Sequence, residues 1–399
     1  MHQKKQFLIL TSDSGFGHRS SANAIAKALN LSHPGDAETH VVNPILDLPA
    51  PSFLQKAELN YDEQVTKYRD WWQFFYEISD SRMVSSLVEG TLTLALQDNI
   101  KQLVDRLAPD AIVSTNEMFN GPLGAVLAES AQPIPFFTVI TDLADVHALW
   151  FSPEPDHYFV ASEFVKTKAL ENGIAEKDIT ISGVPVDPDF KPTPGERTDL
   201  RLKCGLDPEL TTLLVVGSQR ISSMVAKLKA LDTCPHPFQV AAIAGGDDKL
   251  YENLKAQQWS FPITIQNYVK NMPEWMRAAD VLISKAGGMI ISEGLAAGLP
   301  MILIDFLPGQ EEGNVDYVTR QDAGAFTPTP AEFASLVNTW LQNDLAQLKS
   351  RAAKAQRLGR PEACFTIAED LWQAAAIPKA KQTSPPGPIS APTARPEIG

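Results

Sequence analysis

Short apolar runs alternate with helix-like patterns along this chain, and the alternation occurs twice. In the first half, the segments between the apolar runs have helical periodicity, as in Ser20–Leu29 and Leu92–Leu107. The apolar runs there are Phe7–Thr11, Ala111–Ser114, Phe136–Ile140 and His157–Ala161. Strands that alternate with helices predict a parallel sheet that is covered by helices on both faces.

The same alternation restarts after a proline-rich stretch, Val184–Gly195. The new apolar runs are Leu213–Val216, Val240–Ala244, Ile263–Ile265, Val281–Ile283 and Met301–Ile304. The sequence therefore predicts an α/β protein made of two Rossmann-like, doubly wound domains. The predicted parts are a first domain at 1–186, a linker at 187–198, a second domain at 199–361, a terminal helix at 362–377 and a disordered tail at 378–399.

Composition limits the partners of such a chain. The 399 residues carry a formal charge of -14, which argues against binding to nucleic acid. A membrane surface is not excluded, because attraction to anionic lipid depends on local basic clusters more than on net charge. Cys204, Cys234 and Cys364 are scattered, so neither a disulfide framework nor a zinc site is predicted, and a cytoplasmic setting is expected. No apolar stretch of the sequence is long enough to cross a bilayer.

A strand, a tight turn and a helix are predicted around a glycine pair in the second half. The apolar run that ends at Ser284 is followed by Gly287 and Gly288, and a helical pattern opens at about Met289. Two glycines let the backbone come close to a ligand, and the first N–H groups of a helix are unpaired. A phosphate group suits such a site. The alternative is that the glycines serve only the tight turn, as they do in many α/β proteins.

Polar side chains near this turn suit the rest of a nucleotide sugar. Glu293 follows about one turn into the predicted helix, where a carboxylate can accept hydrogen bonds from ribose hydroxyls. Gln310, Glu311 and Asn314 lie in the loop after the next strand. Amide and carboxylate groups suit the hydroxyl groups of a sugar ring.

The second half resembles the donor domain of a family of lipid glycosyltransferases. The motifs that carry the resemblance are Asn271-Met-Pro-Glu-Trp-Met276, Ser284-Lys-Ala-Gly-Gly288, Ser292-Glu293, Gly298-Leu-Pro300 and Pro308-Gly-Gln-Glu-Glu-Gly-Asn314. Their order and spacing are similar to those of monogalactosyldiacylglycerol synthases and processive diacylglycerol glucosyltransferases. The resemblance implies the glycosyltransferase B architecture, in which two Rossmann-like domains face a cleft and the terminal helix crosses back to the first domain.

Two further sets of donor contacts, and the loss of one contact, follow from the resemblance. Gly217, Ser218 and Gln219 are similar to the diphosphate loop of the related cell-wall N-acetylglucosaminyltransferase, and Arg220 could either add charge there or block the loop. Tyr268 and Val269 match the stretch whose backbone reads the uracil edge in relatives. Ile290 replaces a threonine that meets the phosphate in many relatives, which removes one hydrogen bond.

The first half carries a matching acceptor side. Asp13-Ser-Gly-Phe-Gly-His-Arg-Ser-Ser-Ala22 resembles the glycine-rich histidine segment of the galactolipid synthases, with Gly15 and Gly17 retained and Phe16 in place of a glycine. His18 is the expected general base, because an imidazole can take the proton of an acceptor hydroxyl near neutral pH, and the start of a helix disfavours its protonated form. The alternative is that His18 only packs or caps the turn.

A second element of the first half follows a later strand. Asp142, His147 and Trp150 match the Thr-Asp-x-x-x-x-His-x-x-Trp element of the same relatives. The resemblance implies that Asp142 orients a histidine or polarises an acceptor hydroxyl, that His147 contacts the acceptor or the donor, and that Trp150 contacts the acceptor. The aspartate and histidine could instead be structural. Glu117 stands where relatives often have proline, so acceptor contacts at that position are expected to differ.

Aromatic residues with basic neighbours lie between Phe53 and Met83, including Trp71, Trp72 and Lys67. Such residues suit a membrane interface, although a packed helix pair would also be aromatic. We therefore expect peripheral binding to the inner face of a membrane. Asp187-Pro-Asp189 resembles a metal motif of another transferase architecture, but its place in the linker argues against a metal site.

The expected function is transfer of a hexose, galactose or glucose, from uridine diphosphate (UDP) to a lipid such as diacylglycerol, with inversion at the anomeric carbon. Neither a metal nor a cofactor is expected, because helix N-termini and backbone N–H groups would take the charge of the leaving diphosphate. Two alternatives remain open. One is transfer of N-acetylglucosamine to a polyprenyl-linked acceptor, and the other is a nucleotide-sugar-binding module without transfer activity.

Overall fold

The first half of the chain forms one parallel sheet. The computed structural model describes residues 4–14, 17–60, 82–218 and 223–376. Within these residues the strand order of the first sheet is β2-β1-β3-β4-β5-β6. Its strands are β1 (Lys5–Leu10), β2 (Ala37–Val42), β3 (Ala111–Ser114), β4 (Phe136–Val139), β5 (His157–Val160) and β6 (Ile179–Ile181). β1 pairs in parallel with β2 on one side and with β3 on the other, so β1 and β3 lie inside the sheet.

Helices cover both faces of this sheet, as expected for strands without polar alternation. They are α1 (Gly17–Ser32), α2 (Ser52–Leu59), α3 (Arg82–Leu107), α4 (Asn120–Ala128) and α5 (Glu163–Glu171). The inner strands β3 and β4 are buried at every residue. Apolar residues of α1 pack on one face of the sheet, and those of α3 and α4 pack on the other.

The second half has the same architecture, a parallel six-stranded sheet with helices. Its described strands form a parallel sheet in the order β12-β11-β10-β7-β8-β9. They are β7 (Thr211–Val216), β8 (Phe238–Ile243), β9 (Ile263–Gln266), β10 (Val281–Lys285), β11 (Met301–Asp305) and β12 (Gly324–Phe326). The helices are α6 (Arg197–Lys203), α7 (Met224–Ala230), α8 (Asp248–Lys255), α9 (Met272–Ala278), α10 (Gly288–Ala296), α11 (Glu312–Arg320), α12 (Pro330–Leu341) and α13 (Ala346–Leu358). The predicted fold class, two Rossmann-like parallel sheets with helices, is confirmed.

The last described helix, α14 (Ala363–Ala374), packs on the first sheet and not on the second. Its Cys364, Ile367 and Leu371 are buried with Phe7 and Ile9 of β1. The ring of Trp372 stacks on His33 with centroids 3.7 Å apart, and the Lys5 ammonium lies 3.9 Å above the Trp372 ring. The end of the chain therefore returns to the first half.

The two halves are in direct contact. A single apolar cluster contains Ile140, Leu143 and Trp150 from the first half together with Leu282 and Ile291 from the second. Residues of the predicted linker add polar contacts. Lys27 of α1 pairs with Asp187 at 2.7 Å and with Asp189 at 2.8 Å, so both carboxylates of the Asp-Pro-Asp sequence are held by one lysine.

Three strands were not predicted, namely β2, β6 and β12, and each is at an edge of its sheet. The aromatic segment with Trp71 and Trp72 and the tail from residue 378 lie outside the described residues. In the part of the chain that the structure describes, no helix has the length and apolar character needed to cross a membrane.

Candidate functional site

The ends of neighbouring strands bring the predicted acceptor-side residues together. β1, β3 and β4 are adjacent and parallel, so the segments that follow them meet at the same edge of the first sheet. These segments carry His18, Glu117 and Asp142. The predicted Gly17 is the first residue of α1, and Gly15 and Phe16 lie outside the described residues.

Two hydrogen bonds orient the ring of His18, one to the backbone carbonyl of Thr115 and one to the hydroxyl of Thr141. Its Nδ1 lies 2.7 Å from the carbonyl oxygen of Thr115 and 3.0 Å from Oγ1 of Thr141. A carbonyl oxygen can only accept, so Nδ1 carries the hydrogen and Nε2 is the basic nitrogen. Burial lowers the pKa of His18, while the charge of Asp142 acts in the opposite direction. The imidazole is therefore held neutral, with one nitrogen able to accept a proton.

Asp142 is held by Trp150. The indole Nε1 donates to Oδ2 of Asp142 at 2.7 Å, and the whole tryptophan is buried. Burial and, to a smaller extent, the nearby charge of Glu117 raise the pKa of Asp142 to about 7, against the opposite effects of His18 and of the hydrogen bond from Trp150. In this structure Trp150 acts on the site through Asp142, and its direct contact with an acceptor stays a prediction.

Glu117 adds a second acidic group with a raised pKa. Burial raises the pKa of its carboxyl to about 7. Its Oε2 is buried and has no hydrogen-bond partner among the described residues. Because the charge of Glu117 also raises the pKa of Asp142, ionisation of one carboxyl group disfavours ionisation of the other. The site therefore contains a neutral imidazole and two buried carboxyl groups with raised pKa values.

His147 shapes the loop that carries Trp150. Its Nδ1 accepts a hydrogen bond from Leu149 N at 3.2 Å, and this bond caps the short 3-10 turn Ala148–Trp150. The residue is only 6% exposed. These contacts give His147 a structural part in the loop, and its contact with an acceptor stays a prediction.

A polar network fixes the turn before His18. Glu58 of α2 accepts hydrogen bonds from Asp13 N at 2.6 Å, Ser12 Oγ at 3.0 Å and Asn43 Nδ2 at 2.7 Å. Asp13 binds the guanidinium of Arg19 through both oxygens, at 2.7 and 2.8 Å. Sequence reasoning missed Glu58 and Asn43, because neither belongs to a local motif.

The glycine pair of the second half opens α10 as predicted from the pattern. Gly287 is the N-cap residue, in extended conformation, and no side chain caps the helix. The first N–H groups of α10 therefore have no side-chain partner of the capping type. A Cβ placed on Gly288 would lie 3.7 Å from the carbonyl oxygen of Thr141, and one on Gly17 would lie 3.8 Å from Cβ of Met289. The starts of α1 and α10 thus face each other across the two halves.

Lys285 lies beside this turn and was not assigned by sequence reasoning. Its Nζ would be 3.0 Å from a Cβ on Gly287, and it forms an ion pair with Oε1 of Glu311. The other carboxylate oxygen of Glu311 accepts from Leu307 N at 2.8 Å. Glu311 is thereby committed to protein contacts in this structure. A lysine at the end of a strand, directly before a glycine pair, was the signal that could have identified Lys285.

The remaining donor-side residues surround the same region. Asn314 donates from Nδ2 to Ala286 O at 3.0 Å, and its Oδ1 is buried without a partner among the described residues. Gln310 lies in the partly exposed turn before α11. Glu293 is partly buried on α10, and burial together with the charge of Asp187 raises its pKa to about 8. A carboxyl that is neutral near pH 7 can both donate and accept hydrogen bonds.

The loop after β7 brings two backbones close together. Gly217 N donates to Ile243 O at 2.7 Å, and a Cβ on Gly217 would meet Leu250 at 2.6 Å. Ser218 follows it, and Gln219 lies outside the described residues. After the edge strand β9, Tyr268 is 66% exposed and Val269 packs against the apolar cluster between the halves. Their contact with a uracil base stays a prediction.

Two family models match the chain. The Monogalactosyldiacylglycerol (MGDG) synthase model matches residues 18–186, and the Glycosyltransferase family 28 C-terminal domain model matches residues 211–362. The first match contains His18, Glu117 and Asp142, and the second contains Gly288 and Glu293.

Several plant proteins are similar over most of their length. The probable monogalactosyldiacylglycerol synthase 2, chloroplastic, of Oryza sativa subsp. japonica is 32% identical over 377 residues, which cover 92% of this chain and 80% of the relative. The monogalactosyldiacylglycerol synthase 2, chloroplastic, of Arabidopsis thaliana is 31% identical with the same coverage.

Solved structures show the same architecture at low sequence identity. MurG of Acinetobacter baumannii matches with a TM-score of 0.59 and 14% identity, covering 93% of this chain and 99% of that one. The glycosyltransferase SnogD of Streptomyces nogalater matches with a TM-score of 0.57 and 16% identity, covering 94% and 100%. HepE of Anabaena, in complex with UDP-glucose, matches with a TM-score of 0.53 and 13% identity, covering 92% and 99%.

Proposed function

We propose that this chain, which belongs to the monogalactosyldiacylglycerol synthase family and is a glycosyltransferase, transfers a hexose from a UDP-hexose to a hydroxyl group of diacylglycerol. The observation that carries the proposal is the meeting of α1 and α10 across the two halves. This arrangement places the neutral imidazole of His18 in the first half opposite the uncapped start of α10 in the second half. The first suits an acceptor hydroxyl and the second suits a diphosphate. The name of the relatives supports the lipid acceptor, and the UDP-glucose complex of HepE supports the class of donor.

His18 Nε2 takes the proton of the acceptor hydroxyl in the proposed reaction. The hydroxyl oxygen forms a bond to the anomeric carbon while the bond from that carbon to the diphosphate oxygen breaks, and UDP leaves with the electron pair. Attack from the face opposite the leaving group inverts the anomeric configuration. Asp142, held by Trp150, stabilises the imidazolium that forms. The proton then passes to water when the products leave.

The donor is held by the second half. The diphosphate lies at the start of α10, with the ammonium of Lys285 next to it, and Glu293 binds the ribose. Asn314 Oδ1 and Gln310 are the groups proposed to bind the hexose hydroxyls. Positive helix ends and backbone N–H groups take the charge of the leaving UDP, so we propose that transfer needs no resident metal. We expect an excess of EDTA to leave turnover unchanged. A loss of turnover in EDTA that Mg²⁺ or Mn²⁺ restores would contradict the proposal that no metal is needed.

Peripheral binding to the inner face of a membrane is proposed for the first half. Leu87 and Leu94 of α3 are seven residues apart, so they share one face of the helix, and they are 72% and 88% exposed. Phe53 and Leu59 of α2, in the same half, are 59% and 70% exposed. Exposed large apolar side chains of this kind bury their surface in the lipid interface.

Cosedimentation with anionic lipid vesicles tests the membrane surface. The double variant Leu87→Ser/Leu94→Ser should bind vesicles several-fold more weakly than the wild type. Leu202→Ser is the matched control, because Leu202 is 61% exposed on α6 of the second half. Equal vesicle binding by the double variant and the wild type would show that α3 is not part of the membrane-binding surface.

The proposed reaction is tested by incubating the protein with one UDP-sugar at a time and vesicles that contain diacylglycerol, followed by mass analysis of the extracted lipids. UDP-galactose, UDP-glucose and UDP-N-acetylglucosamine form the panel. A hexosyl-diacylglycerol product from one of the first two is expected. A product only from UDP-N-acetylglucosamine and a polyprenyl-phosphate acceptor would contradict the proposal in favour of the cell-wall reaction, and UDP binding without any product would favour a binding module.

A further inference from the structure

Asp145 links the loop at 141–145, called the catalytic loop below because it carries Asp142, to a helix of the second half. Its Oδ2 accepts a hydrogen bond from Gly313 N at 2.5 Å. Asp145 lies on the loop after β4, three residues after Asp142, and Gly313 is the second residue of α11. The bond therefore joins two elements that are far apart in the sequence and belong to different sheets.

Helix α11 lacks a capping side chain of its own. Its N-cap residue is Glu311, which makes no side-chain cap bond, because its carboxylate pairs with Lys285 and accepts from Leu307 N. The first N–H groups of a helix need an acceptor, and a carboxylate there is also favoured by the helix dipole. Asp145 supplies this acceptor from the other half of the molecule.

The contact is closely fitted on the glycine side. A Cβ on Gly313 would lie 2.5 Å from Oδ1 and 2.8 Å from Oδ2 of Asp145, which is too close for any side chain to be added without moving the carboxylate. Burial raises the pKa of Asp145, and the bond from Gly313 acts against that shift. The hydrogen bond from the backbone N–H of Gly313 therefore holds the carboxylate of Asp145 in a partly buried position.

Both partners of this bond lie next to groups of the proposed reaction. Asn314, a proposed hexose contact, is adjacent to Gly313 on α11. On the other side, the carbonyl of Thr141 lies beside Gly288 at the start of α10, and the side chain of Thr141 touches His18. The loop 141–145 thus contacts both helices that are proposed to hold the donor.

We propose that Asp145 is a positioning residue, which holds α11 against the catalytic loop so that the bound hexose is presented to the acceptor hydroxyl at His18. This inference rests on the proposed function. Loss of the bond leaves the diphosphate site at α10 intact, because that site consists of second-half residues. The expected effect is a lower kcat, since a small displacement of reacting groups is costly, with little change in UDP affinity.

Four variants and one control test the inference. Asp145→Ala removes the acceptor, Asp145→Asn retains an oxygen that can accept from Gly313 N, and Gly313→Ala pushes the carboxylate away. The double variant Asp145→Ala/Gly313→Ala removes the same contact from both sides. Asp110→Ala is the control, because Asp110 also accepts from a backbone N–H, that of Gln6 at 2.8 Å, but at the opposite edge of the first sheet.

Asp145→Ala, Gly313→Ala and the double variant should each lower kcat about tenfold or more, and to a similar extent, because changes to one shared contact are not additive. Asp145→Asn should recover most of kcat. The Kd for UDP should stay within about twofold in all variants, and hydrogen exchange at the start of α11 should become faster in Asp145→Ala than in wild type and Asp110→Ala.

Three results would overturn the inference. These are a kcat within about twofold of wild type in Asp145→Ala, a loss no greater than that of Asp110→Ala, or additive losses in the double variant. Failure of the proposed function has a different signature, because the wild type itself would then form no glycolipid from any UDP-sugar. Thermal unfolding of each variant separates loss of the contact from loss of the fold.

Discussion

Individual residues of the site depend on groups that are distant in the sequence. The tautomer of His18 is set by the carbonyl of Thr115, and the turn before His18 is held by Glu58. His18 and Asp142 could be predicted because they stand in recognisable motifs at strand ends. Thr115, Glu58 and Asp145 could not, because their contacts arise only when remote segments meet in the folded chain.

Trp150→Phe is predicted to change the pH dependence of turnover. The variant keeps an aromatic ring in a buried position but loses the bond that lowers the pKa of Asp142. The pKa of Asp142 should therefore rise above about 7, and its charge, which favours proton uptake by His18, should be lost at neutral pH. We expect kcat at pH 7 to fall about tenfold and to recover partly at pH 9.

The matched control is Trp340→Phe. Trp340 is also buried, but its indole nitrogen has no hydrogen-bond partner among the described residues. Its kcat should follow the wild-type pH profile. If Trp150→Phe and Trp340→Phe give the same profile, the bond to Asp142 has no part in the reaction.

Glu293→Gln is predicted to change how stability depends on pH. The folded chain holds the pKa of Glu293 at about 8, whereas an unfolded glutamate ionises near 4.5. A carboxyl group whose pKa is raised by folding contributes its full stabilisation when the pH is below its pKa in the unfolded chain. That stabilisation is lost as the pH rises through its pKa in the folded chain. The variant should therefore match wild type at pH 5 and melt about 1–4 °C higher than wild type at pH 9. A constant difference in Tm between pH 5 and pH 9 would contradict the raised pKa.

At the level of elements, the inner strands could be predicted, whereas three of the four edge strands, all except β9, could not. β3 and β4 are buried at every residue, so they appear in the sequence as continuous apolar runs. In β2, β6 and β12 only one residue of each strand is buried. An edge strand that is half-covered needs no apolar run, and its position is set by pairing with its neighbour.

Packing of α13 against α10 gives a prediction at the same scale. Gly359 follows α13, and a Cβ there would collide with the carbonyl oxygen of Leu295 in α10. Because backbone cannot move aside as a side chain can, Gly359→Ala should lower the stability of the fold by about 1–3 kcal/mol. Displacement of α10 should also weaken UDP binding. Thermal unfolding and UDP titration measure the two effects.

Gly90→Ala is the control for this substitution. A Cβ on Gly90 would have open space around it within helix α3, where alanine is the better helix former. Its Tm should equal or exceed that of wild type. Equal Tm values for Gly359→Ala and Gly90→Ala would show that α10 tolerates the displacement.

At the scale of the whole molecule, the sequence predicted the two sheets and the family, because both rest on patterns repeated along the chain. The resemblance implied that two domains face each other, but the individual residue contacts between them could not be predicted, since they depend on the relative position of the halves. The bond of Asp145 to Gly313 and the approach of Gly17 to Met289 are of this kind. The proposed active site is formed at those contacts.

Binding of UDP is predicted to stabilise the folded chain by mass action. At a concentration about 100 times Kd, a ligand that binds only the folded state adds about 2.7 kcal/mol to the free energy of unfolding. The Tm should rise accordingly, and Glu293→Ala should remove most of the rise. Absence of any shift at millimolar UDP would contradict both the transferase and the nucleotide-binding interpretation.

The most direct measurement is glycolipid formation by wild type, His18→Gln and His40→Gln, with UDP affinity determined on the same preparations. His40 is the control, because it lies on the edge strand β2, bonded to Gln6. We predict hexosyl-diacylglycerol from wild type and His40→Gln, a rate lower by on the order of 10²- to 10⁴-fold in His18→Gln, and UDP affinity that is equal in all three. Equal rates in His18→Gln and wild type would contradict the assignment of the base, and the absence of glycolipid from wild type would contradict the proposed reaction itself.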